Sequence, residues 1–235
     1  MSATPQQPSS PNRILAALTP EEYERLARRS ETAALDLGEV VFWPGDALRH
    51  VHFPTTAIVS LLTELSDGNG LEVGLVGREG VVGVSAFLGG TETKVATAQG
   101  AGEALRVGAD ALREEFARGG ELQSLLLRYT HALMMQISQS VVCNVRHNIP
   151  GRLARWLLMY HDRAGRDEFY LTQEFVANML GVRRAGVSEA AEGLQQMGMI
   201  SYQRGQITIV DRAKLEAFAC ECYPIVKQKY DTFLQ

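Results

Sequence analysis

The segment that most constrains the fold runs from residue 171 to 200 and reads LTQEFVANMLGVRRAGVSEAAEGLQQMGMI. Two short helical patterns meet at Gly181, and glycine adopts a left-handed turn conformation at little cost. Thr172 can cap the first helix by accepting a backbone N–H. Apolar or small residues stand where two crossing helices must touch: Val176, Ala177, Leu180, Val182, Val187 and Ala190. The segment therefore predicts a helix-turn-helix.

A hairpin signal follows this segment directly. The run MISYQRGQITIVD alternates on both sides of Arg204-Gly205, as the two strands of a hairpin do. Helices followed by a small hairpin are typical of a winged helix-turn-helix. We assign residues 148–235 to this DNA-binding domain, which closes with one or two C-terminal helices.

The predicted packing leaves the start of the second helix exposed. A helix-turn-helix places this end at base edges in the major groove of DNA. Arginine offers two parallel donors that match guanine O6 and N7. We predict DNA contacts for Thr172, Gln173, Arg183, Arg184, Ser188, Glu189 and Arg204. The alternative is that Arg183 and Arg184 form a solvated pair on an ordinary helical hairpin.

Residues 19–118 are rich in short strand patterns. Thr19-Pro20 can start a helix, and residues 109–118 form another helical pattern. Between them, β-rich runs alternate with Gly, Pro and Asp turns, and SDGNG at 66–70 is a strong hairpin signal. Short strands at even spacing favour a small barrel or sandwich.

A long helical run without Gly or Pro spans residues 121–146. One apolar stripe continues along it, and a helix of this length outruns a small barrel. The stripe therefore predicts a dimer interface with the same helix of a second subunit. We assign residues 119–147 to this helix, and its interface to Leu126, Tyr129, Leu133 and Ile137. Pro150 ends the run, so any inter-domain motion should pivot between His147 and Gly151.

The N-terminal 18 residues begin MSATPQQPSSPNR, which is rich in Pro, Ser and Gln and predicts a disordered tail. No apolar run is long enough to cross a bilayer, which favours the cytoplasm. The net charge of −4 is uneven. Residues 1–145 contain 11 Lys+Arg and 17 Asp+Glu, whereas residues 146–235 contain 12 and 10. The C-terminal part is thus compatible with phosphate contacts.

Two patterns raise the possibility of a metal site, and neither is complete in the sequence. His50 and His52 alternate on a predicted strand as in the metal motif of cupins, but the expected Glu does not follow. We place these histidines on the exposed face, with Val51 and Phe53 inward. Cys220-Glu221-Cys222 has no second cysteine pair to complete four ligands, so these thiols are interpreted as small semi-buried residues. We therefore expect no metal and no cofactor.

The chain resembles the Crp/Fnr family of transcription regulators over nearly its whole length. Residues 171–200 and the following hairpin resemble the DNA-binding domain of that family. GEVVFWPGD at 38–46 and GREGVVGVSAFLGG at 77–90 resemble its cyclic-nucleotide-type β-roll. The resemblance implies an α+β fold: a β-roll (a double-stranded β-helix) over residues 19–118, a long dimerisation helix and a C-terminal winged helix-turn-helix. It also implies a base-reading role for Arg184.

The resemblance also locates an effector pocket, and this chain departs from the family there. Family members that bind cyclic nucleotides carry a Gly-Glu pair for the ribose and an Arg-Ser or Arg-Thr pair for the phosphate. Here these pairs are Gly83-Val84 and Glu92-Thr93. The four cluster-binding cysteines of the oxygen-sensing branch are absent from the sequence. Residues 185 and 189 also differ from the cyclic AMP receptor protein, which implies a different DNA sequence.

We expect a cytoplasmic, homodimeric transcription regulator without catalytic activity. Its partners would be a near-palindromic DNA operator, RNA polymerase and an unknown effector. Two alternatives stay open: an interaction module that has lost DNA binding, and a cupin-like metal-binding protein.

Overall fold

The computed structural model describes residues 10–64 and 70–234. The N-terminal elements are α1 (Arg13–Ala16), α2 (Pro20–Ala27), β1 (Ser30–Leu35), β2 (Val40–Phe42), β3 (His50–Pro54), β4 (Ile58–Glu64), β5 (Gly70–Val76), α3 (Ser85–Leu88), β6 (Val95–Gly100), β7 (Gly102–Gly108) and α4 (Ala109–Ala117). The C-terminal elements are α5 (Glu121–Arg146), α6 (Ile149–Ala164), β8 (Glu168–Tyr170), α7 (Gln173–Leu180), α8 (Arg184–Gln196), β9 (Ile200–Gln203), β10 (Gln206–Ile209), α9 (Arg212–Phe218) and α10 (Cys222–Thr232).

Two antiparallel sheets form the β-roll, with strand orders β1-β7-β3 and β2-β6-β4-β5. Side chains of both sheets, including Val51, Phe53, Val59 and Leu75, are buried in one continuous apolar core. The predicted turn at 66–69 lies outside the described residues. The strands that flank it pair antiparallel, with Glu64 opposite Gly70.

The N-terminal segment departs from the predicted tail. Residues 1–9 lie outside the described residues, but Ile14 and Leu15 of α1 are completely buried. Asn12 caps α1, and its side-chain amide donates to the carbonyl oxygens of Pro54 and Gly80 at 2.9 and 2.8 Å. Burial of apolar surface together with satisfied polar groups anchors this segment. The prediction of disorder up to residue 18 is thus corrected.

The chain breaks only briefly between the long helix α5 and α6. α5 spans 26 residues and ends at His147, which has an extended backbone. Asn148 then caps α6, accepting from the Gly151 amide at 3.0 Å. Pro150 stands in the first turn of α6, where a missing amide hydrogen costs nothing. The break is therefore shorter than the predicted pivot.

The C-terminal unit contains α6 to α10 and a three-stranded sheet of order β8-β10-β9. It packs on the β-roll of its own chain. The Met179 thioether of α7 accepts from the Gln99 amide of β6 at 2.7 Å. None of the described helices is both long and apolar enough to cross a lipid bilayer. The α+β fold class, with β-roll, long helix and winged helix-turn-helix, is confirmed.

Candidate nucleic-acid interface

The helix pair α7–α8 turns at Gly181, whose φ of 61° lies in the left-handed region. The Thr172 hydroxyl caps α7 and accepts from the Phe175 amide at 3.2 Å. Leu71 of β5 packs so closely on the turn that a Cβ added to Gly181 would stand 2.6 Å from its Cδ1 atom. The backbone conformation therefore favours glycine, and the end of the Leu71 side chain would have to move for any larger residue.

The facing sides of α7 and α8 are buried, and this sets which side of α8 is free. Val176 and Val187 are completely covered. The same contact also buries Ala177, Leu180 and Ala190. As a consequence Arg183, Arg184 and Glu189 are exposed on the outer side of α8.

Two arginines occupy the start of α8 without a carboxylate partner. Arg183 is its N-cap residue and makes no side-chain cap, and Arg184 is its first residue. Within residues 10–64 and 70–234, neither forms an ion pair. Two cations thus add to the positive end of the helix dipole. Such a surface attracts anions, and phosphate binds well at this position.

Ser188 and Gln173 are joined to each other. The Ser188 hydroxyl donates to Gln173 Oε1 at 2.8 Å. This bond ties the first turn of α7 to α8 and leaves the Gln173 amide hydrogens free to donate. Both residues are part-buried, so they hold the two helices in register besides offering a polar group.

The wing is the hairpin β9–β10, and its turn has the geometry that two-residue hairpins favour. Arg204 and Gly205 both have positive φ, at 51° and 86°. Two consecutive positive values define the turn that matches strand twist. An added Cβ at Gly205 would also stand 2.6 Å from the Tyr170 ring, which would have to move. The turn places the exposed Arg204 at the tip of the wing.

An open groove of about 510 Å³ joins the wing to the two helices. Its lining includes Thr172, Gln173, Arg184 and Arg204, so four of the residues predicted to contact DNA lie together. The Tyr202 hydroxyl donates to the Leu171 carbonyl at 2.6 Å and fixes the wing beside α7. Burial, aided by the nearby Tyr170, raises the pKa of Tyr202 to about 12, so this donor keeps its proton.

The predicted dimer interface is largely covered by its own subunit. Leu126 and Tyr129 are completely buried, and Leu133 lies beside Gly74 of β5. The Tyr129 ring contacts Phe233 of the C-terminal helix at 6.0 Å between centroids. Ile137 is half-buried. A side chain that its own chain covers offers no surface to a second copy, so this expectation is revised.

A different stripe of α5 stays exposed. It contains the apolar Leu127, Met134, Val141, Val142 and Val145, with His131 and Ser138 between them. From Leu127 the positions advance by four, three, four, three and four residues to Val145, which is the heptad spacing of a coiled coil. This alternation is visible in the sequence, and it separates the exposed stripe from the stripe that packs on the β-roll.

The positions of the implied effector site do not form an anion site. Gly83 has a φ of 105° and Val84 is half-buried. Glu92 is buried, and its carboxylate accepts from both the hydroxyl and the amide of Ser85 at the start of α3. Thr93 is exposed. A carboxylate of the chain itself thus uses donors that a ligand phosphate could otherwise engage.

The β-roll contains a separate open cavity of about 480 Å³. It is lined by Asp46, His50, His52 and Arg106 among others. His52 is buried, which corrects its predicted exposure; Val51 and Phe53 are buried as predicted. Burial, with positive charge from Arg106 and His50, lowers the pKa of His52 to about 4. The cupin-like pair therefore lies in a cavity that also contains a guanidinium, which disfavours a metal cation there.

Two family models match the chain. That of a Crp-like helix-turn-helix domain matches residues 151–218, and that of a cyclic nucleotide-binding domain matches residues 34–118. A curated relative, the CRP-like cAMP-activated global transcriptional regulator of Mycobacterium tuberculosis, is 24% identical over 210 residues. The alignment covers 86% of this chain and 94% of that protein.

Solved structures share the fold. FixK2 from Bradyrhizobium japonicum has a TM-score of 0.70 at 18% identity, covering 81% of this chain and 98% of that one. A CRP-family transcriptional regulator from Thermus thermophilus has a TM-score of 0.64 at 21% identity, covering 80% and 96%.

Proposed function

Since the chain belongs to the Crp/Fnr family of transcription regulators, we propose that it binds a near-palindromic DNA operator as a cytoplasmic homodimer and performs no catalysis. The main support for this proposal is the outer side of α8. There, two arginines at the start of the helix have no carboxylate partner among the described residues. That arrangement supports insertion of α8 into the major groove.

The proposed roles divide between base reading and phosphate contact. Arg184, at the groove between α7, α8 and the wing, suits a bidentate contact to guanine. Arg183, Thr172, Gln173 and Arg204 suit the phosphates on either side. Ser188 and Glu189 lie further along α8, where they would face adjacent bases.

The proposed dimer uses the exposed stripe of α5 in place of the residues first predicted. Its heptad spacing suits a parallel pairing of two α5 helices along a two-fold axis. The same symmetry would place the two α8 helices in successive major grooves about 34 Å apart. The near-palindromic operator follows from that spacing.

We propose that the effector is not a cyclic nucleotide. The mycobacterial relative is named for activation by cAMP, but in this chain Glu92 occupies the phosphate position and already bonds Ser85. A buried ligand phosphate needs hydrogen-bond donors, and a carboxylate beside it is unfavourable. The effector stays unassigned, and RNA polymerase is a proposed partner from family membership alone.

The decisive test is selection of bound sites from random double-stranded DNA with the full chain. We expect a two-fold symmetric sequence whose affinity falls steeply with salt. Arg184→Ala should change the selected sequence, whereas the control Arg28→Ala, on the highly exposed surface of α2, should not. If no sequence is enriched and no salt-dependent binding occurs, an interaction module without DNA binding becomes the better hypothesis.

A further inference from the structure

Four potential metal ligands converge where α5 meets the C-terminal helices. Cys143 lies in the last turn of α5, and His147 follows that helix directly. Cys220 lies between α9 and α10, and Cys222 is the first residue of α10. Their ligand atoms all lie within 4.8 Å of one another. The site therefore brings together residues more than 70 positions apart in the sequence.

The distances suit one tetrahedral ion. Cys143 Sγ lies 3.5 Å from Cys220 Sγ, and Cys222 Sγ lies 3.4 Å from His147 Nδ1. An ion at about 2.3 Å from sulfur and about 2.0 Å from nitrogen separates its tetrahedral ligands by roughly 3.5–3.8 Å. Three cysteines and one histidine are an established ligand set for structural zinc. A cluster of several irons would need its thiolates further apart.

The surroundings are those of a metal site. While His147 Nδ1 faces Cys222, its other ring nitrogen, Nε2, lies 3.6 Å from a carboxylate oxygen of Glu221. A carboxylate behind a ligating histidine is the usual orienting partner of a zinc-bound imidazole. The Gln139 side-chain amide donates to Cys222 Sγ at 3.1 Å, which would stabilise a thiolate.

Among the described residues, two buried guanidinium groups beside the cysteines have no carboxylate at ion-pair distance. Arg152 and Arg155 are buried, and among the described residues neither forms an ion pair. Arg155 donates to the Ser140 hydroxyl at 2.9 Å, and Arg152 donates to Asn144 at 2.8 Å, both neutral acceptors. A buried cation needs a compensating charge. Three thiolates on a divalent ion leave one net negative charge, which would offset part of the charge of the two guanidinium groups.

We propose that Cys143, His147, Cys220 and Cys222 bind one Zn²⁺ ion. On binding, each of the three thiols releases its proton to solvent, and the neutral imidazole coordinates through Nδ1. No electron is transferred. The ion joins the end of α5 to the connection between α9 and α10.

The position of this site gives it a role in regulation, which rests on the proposed function. The ligands flank the break between α5 and α6, where the DNA-binding unit leaves the dimerisation helix. The Cys220 amide already donates to the Gly151 carbonyl at 3.4 Å. An ion bound here adds a link between the C-terminal unit and α5, beside the bond from Trp156 to Glu72, and its loss would loosen that end of the unit.

A disulfide between Cys143 and Cys220 is the competing chemistry, because their sulfur atoms are close. It would use two of the four groups and would leave His147 and Cys222 without a role. It would also require an oxidant. The convergence of all four donors therefore favours the metal.

The test uses the full chain, reduced with a phosphine and freed of metal, and then titrated with Zn²⁺ and with Co²⁺. We expect one tightly bound zinc per chain, and cobalt absorption with the intense bands of a tetrahedral thiolate site. Cys143→Ser and Cys222→Ser should lose this signal. The control His50→Gln changes an exposed histidine of β3, outside α5 and the C-terminal helices, and should keep it.

Two further variants distinguish the loss of a metal ligand from misfolding of the chain. His147→Gln alters a partly exposed ligand and should lose the metal while circular dichroism shows a folded chain. Glu221→Gln alters only the residue behind the imidazole and should weaken zinc affinity by about 10–100-fold.

The proposal would be overturned if the reduced, folded chain bound no zinc at micromolar concentration. Iron with acid-labile sulfide in anaerobically purified protein, or zinc retained by all three ligand variants, would also overturn it. A Cys143–Cys220 disulfide in place of metal in cells would also reject it. DNA binding is measured separately, with and without zinc. Zinc bound without any DNA binding would overturn the proposed function and leave the site intact.

Discussion

The indole N–H of Trp156 donates to the Glu72 carboxylate at 2.8 Å, which links α6 of the DNA-binding unit to β5 of the β-roll. The same carboxylate accepts from the Ser60 hydroxyl at 2.6 Å and from the Gln99 amide at 2.9 Å. Burial raises the pKa of Glu72, although these donors and the charge of Arg155 oppose the shift. One acidic group thus connects the two parts of the chain.

Glu72→Gln should destabilise the chain by about 1–3 kcal/mol. The new side-chain nitrogen is itself a donor, and it would face one of the three donors that the carboxylate accepts from. Since the pKa of Glu72 is raised above 4.5 in the folded state, the folded chain holds this proton more tightly. The contribution of Glu72 to the free energy of unfolding therefore falls as pH rises through the raised pKa. Denaturant unfolding at several pH values should show a difference between wild type and variant that shrinks with rising pH.

The matched control is Glu103→Gln, which changes an exposed glutamate of β7. It should leave both the stability and its pH dependence nearly unchanged. If the difference in the free energy of unfolding between wild type and Glu72→Gln stayed constant across pH, protonation of Glu72 would not be coupled to folding as expected.

Arg184→Ala should weaken specific DNA binding by about 1–3 kcal/mol and relax the preference at one operator position in each half-site. The reason is the loss of a bidentate contact from the start of α8. Fluorescence anisotropy with a set of single-base operator variants measures this. An unchanged preference at every position would remove Arg184 from the base-reading role.

Arg204→Ala should behave differently, because a residue at the wing tip is placed for phosphate rather than bases. Affinity should fall by a similar factor for all sequences, and the slope of binding against salt should decrease by about one unit. A change confined to particular base pairs would instead make Arg204 a base-reading residue.

Met134→Glu should convert the dimer to monomer without unfolding the chain. Met134 is 61% exposed in the single chain and lies in the middle of the exposed stripe of α5. A charge there meets its symmetry mate across the proposed coiled coil. Sedimentation measures the mass, and Leu37→Glu is the control because Leu37 is similarly exposed but lies outside α5.

Leu133→Glu, one residue away, should unfold or strongly destabilise the monomer itself. Leu133 is buried against β5 of its own chain, so the new carboxylate would be buried without a partner. If Met134→Glu stays dimeric and Leu133→Glu gives a folded monomer, the first-predicted interface is right and the exposed stripe is not.

Cyclic AMP and cyclic GMP should not bind more tightly than roughly millimolar. The cyclic phosphate would meet the Glu92 carboxylate, and Val84 cannot accept the ribose hydroxyl. Titration calorimetry with the full chain measures this. Micromolar binding that disappears on mutating residues 83–94 would show that the pocket draws positive charge from elsewhere.

The helix-turn-helix and the wing could be predicted because their signals are local. Gly181 and Gly205 mark turns because glycine adopts positive φ at little cost, a preference that neighbouring residues do not override. Which side of α5 packs on the β-roll could not be predicted as easily, because two apolar stripes run along this helix. Which one meets the β-roll is decided by the docking of α10, whose Tyr230 packs on Tyr129 together with the following Phe233.

The cysteine–histidine cluster could not be predicted from the pair Cys220 and Cys222 alone. The residues of its other half, Cys143 and His147, are four positions apart at the end of a helical run, and this spacing is the signal available in the sequence. Only the packing of α10 along α5 brings the halves together. The N-terminal segment was missed for a similar reason, because Asn12 is held by contacts with residues far along the chain.

Because Leu71 packs on Gly181, a heritable change in DNA binding can come from a mutation outside the DNA-binding unit. Leu71 belongs to β5, yet it supports the turn that aims α8. A genetic screen for strains with changed operator affinity should therefore recover substitutions at Leu71. Such alleles would leave every DNA-facing side chain intact, and second-site suppressors should map to α7.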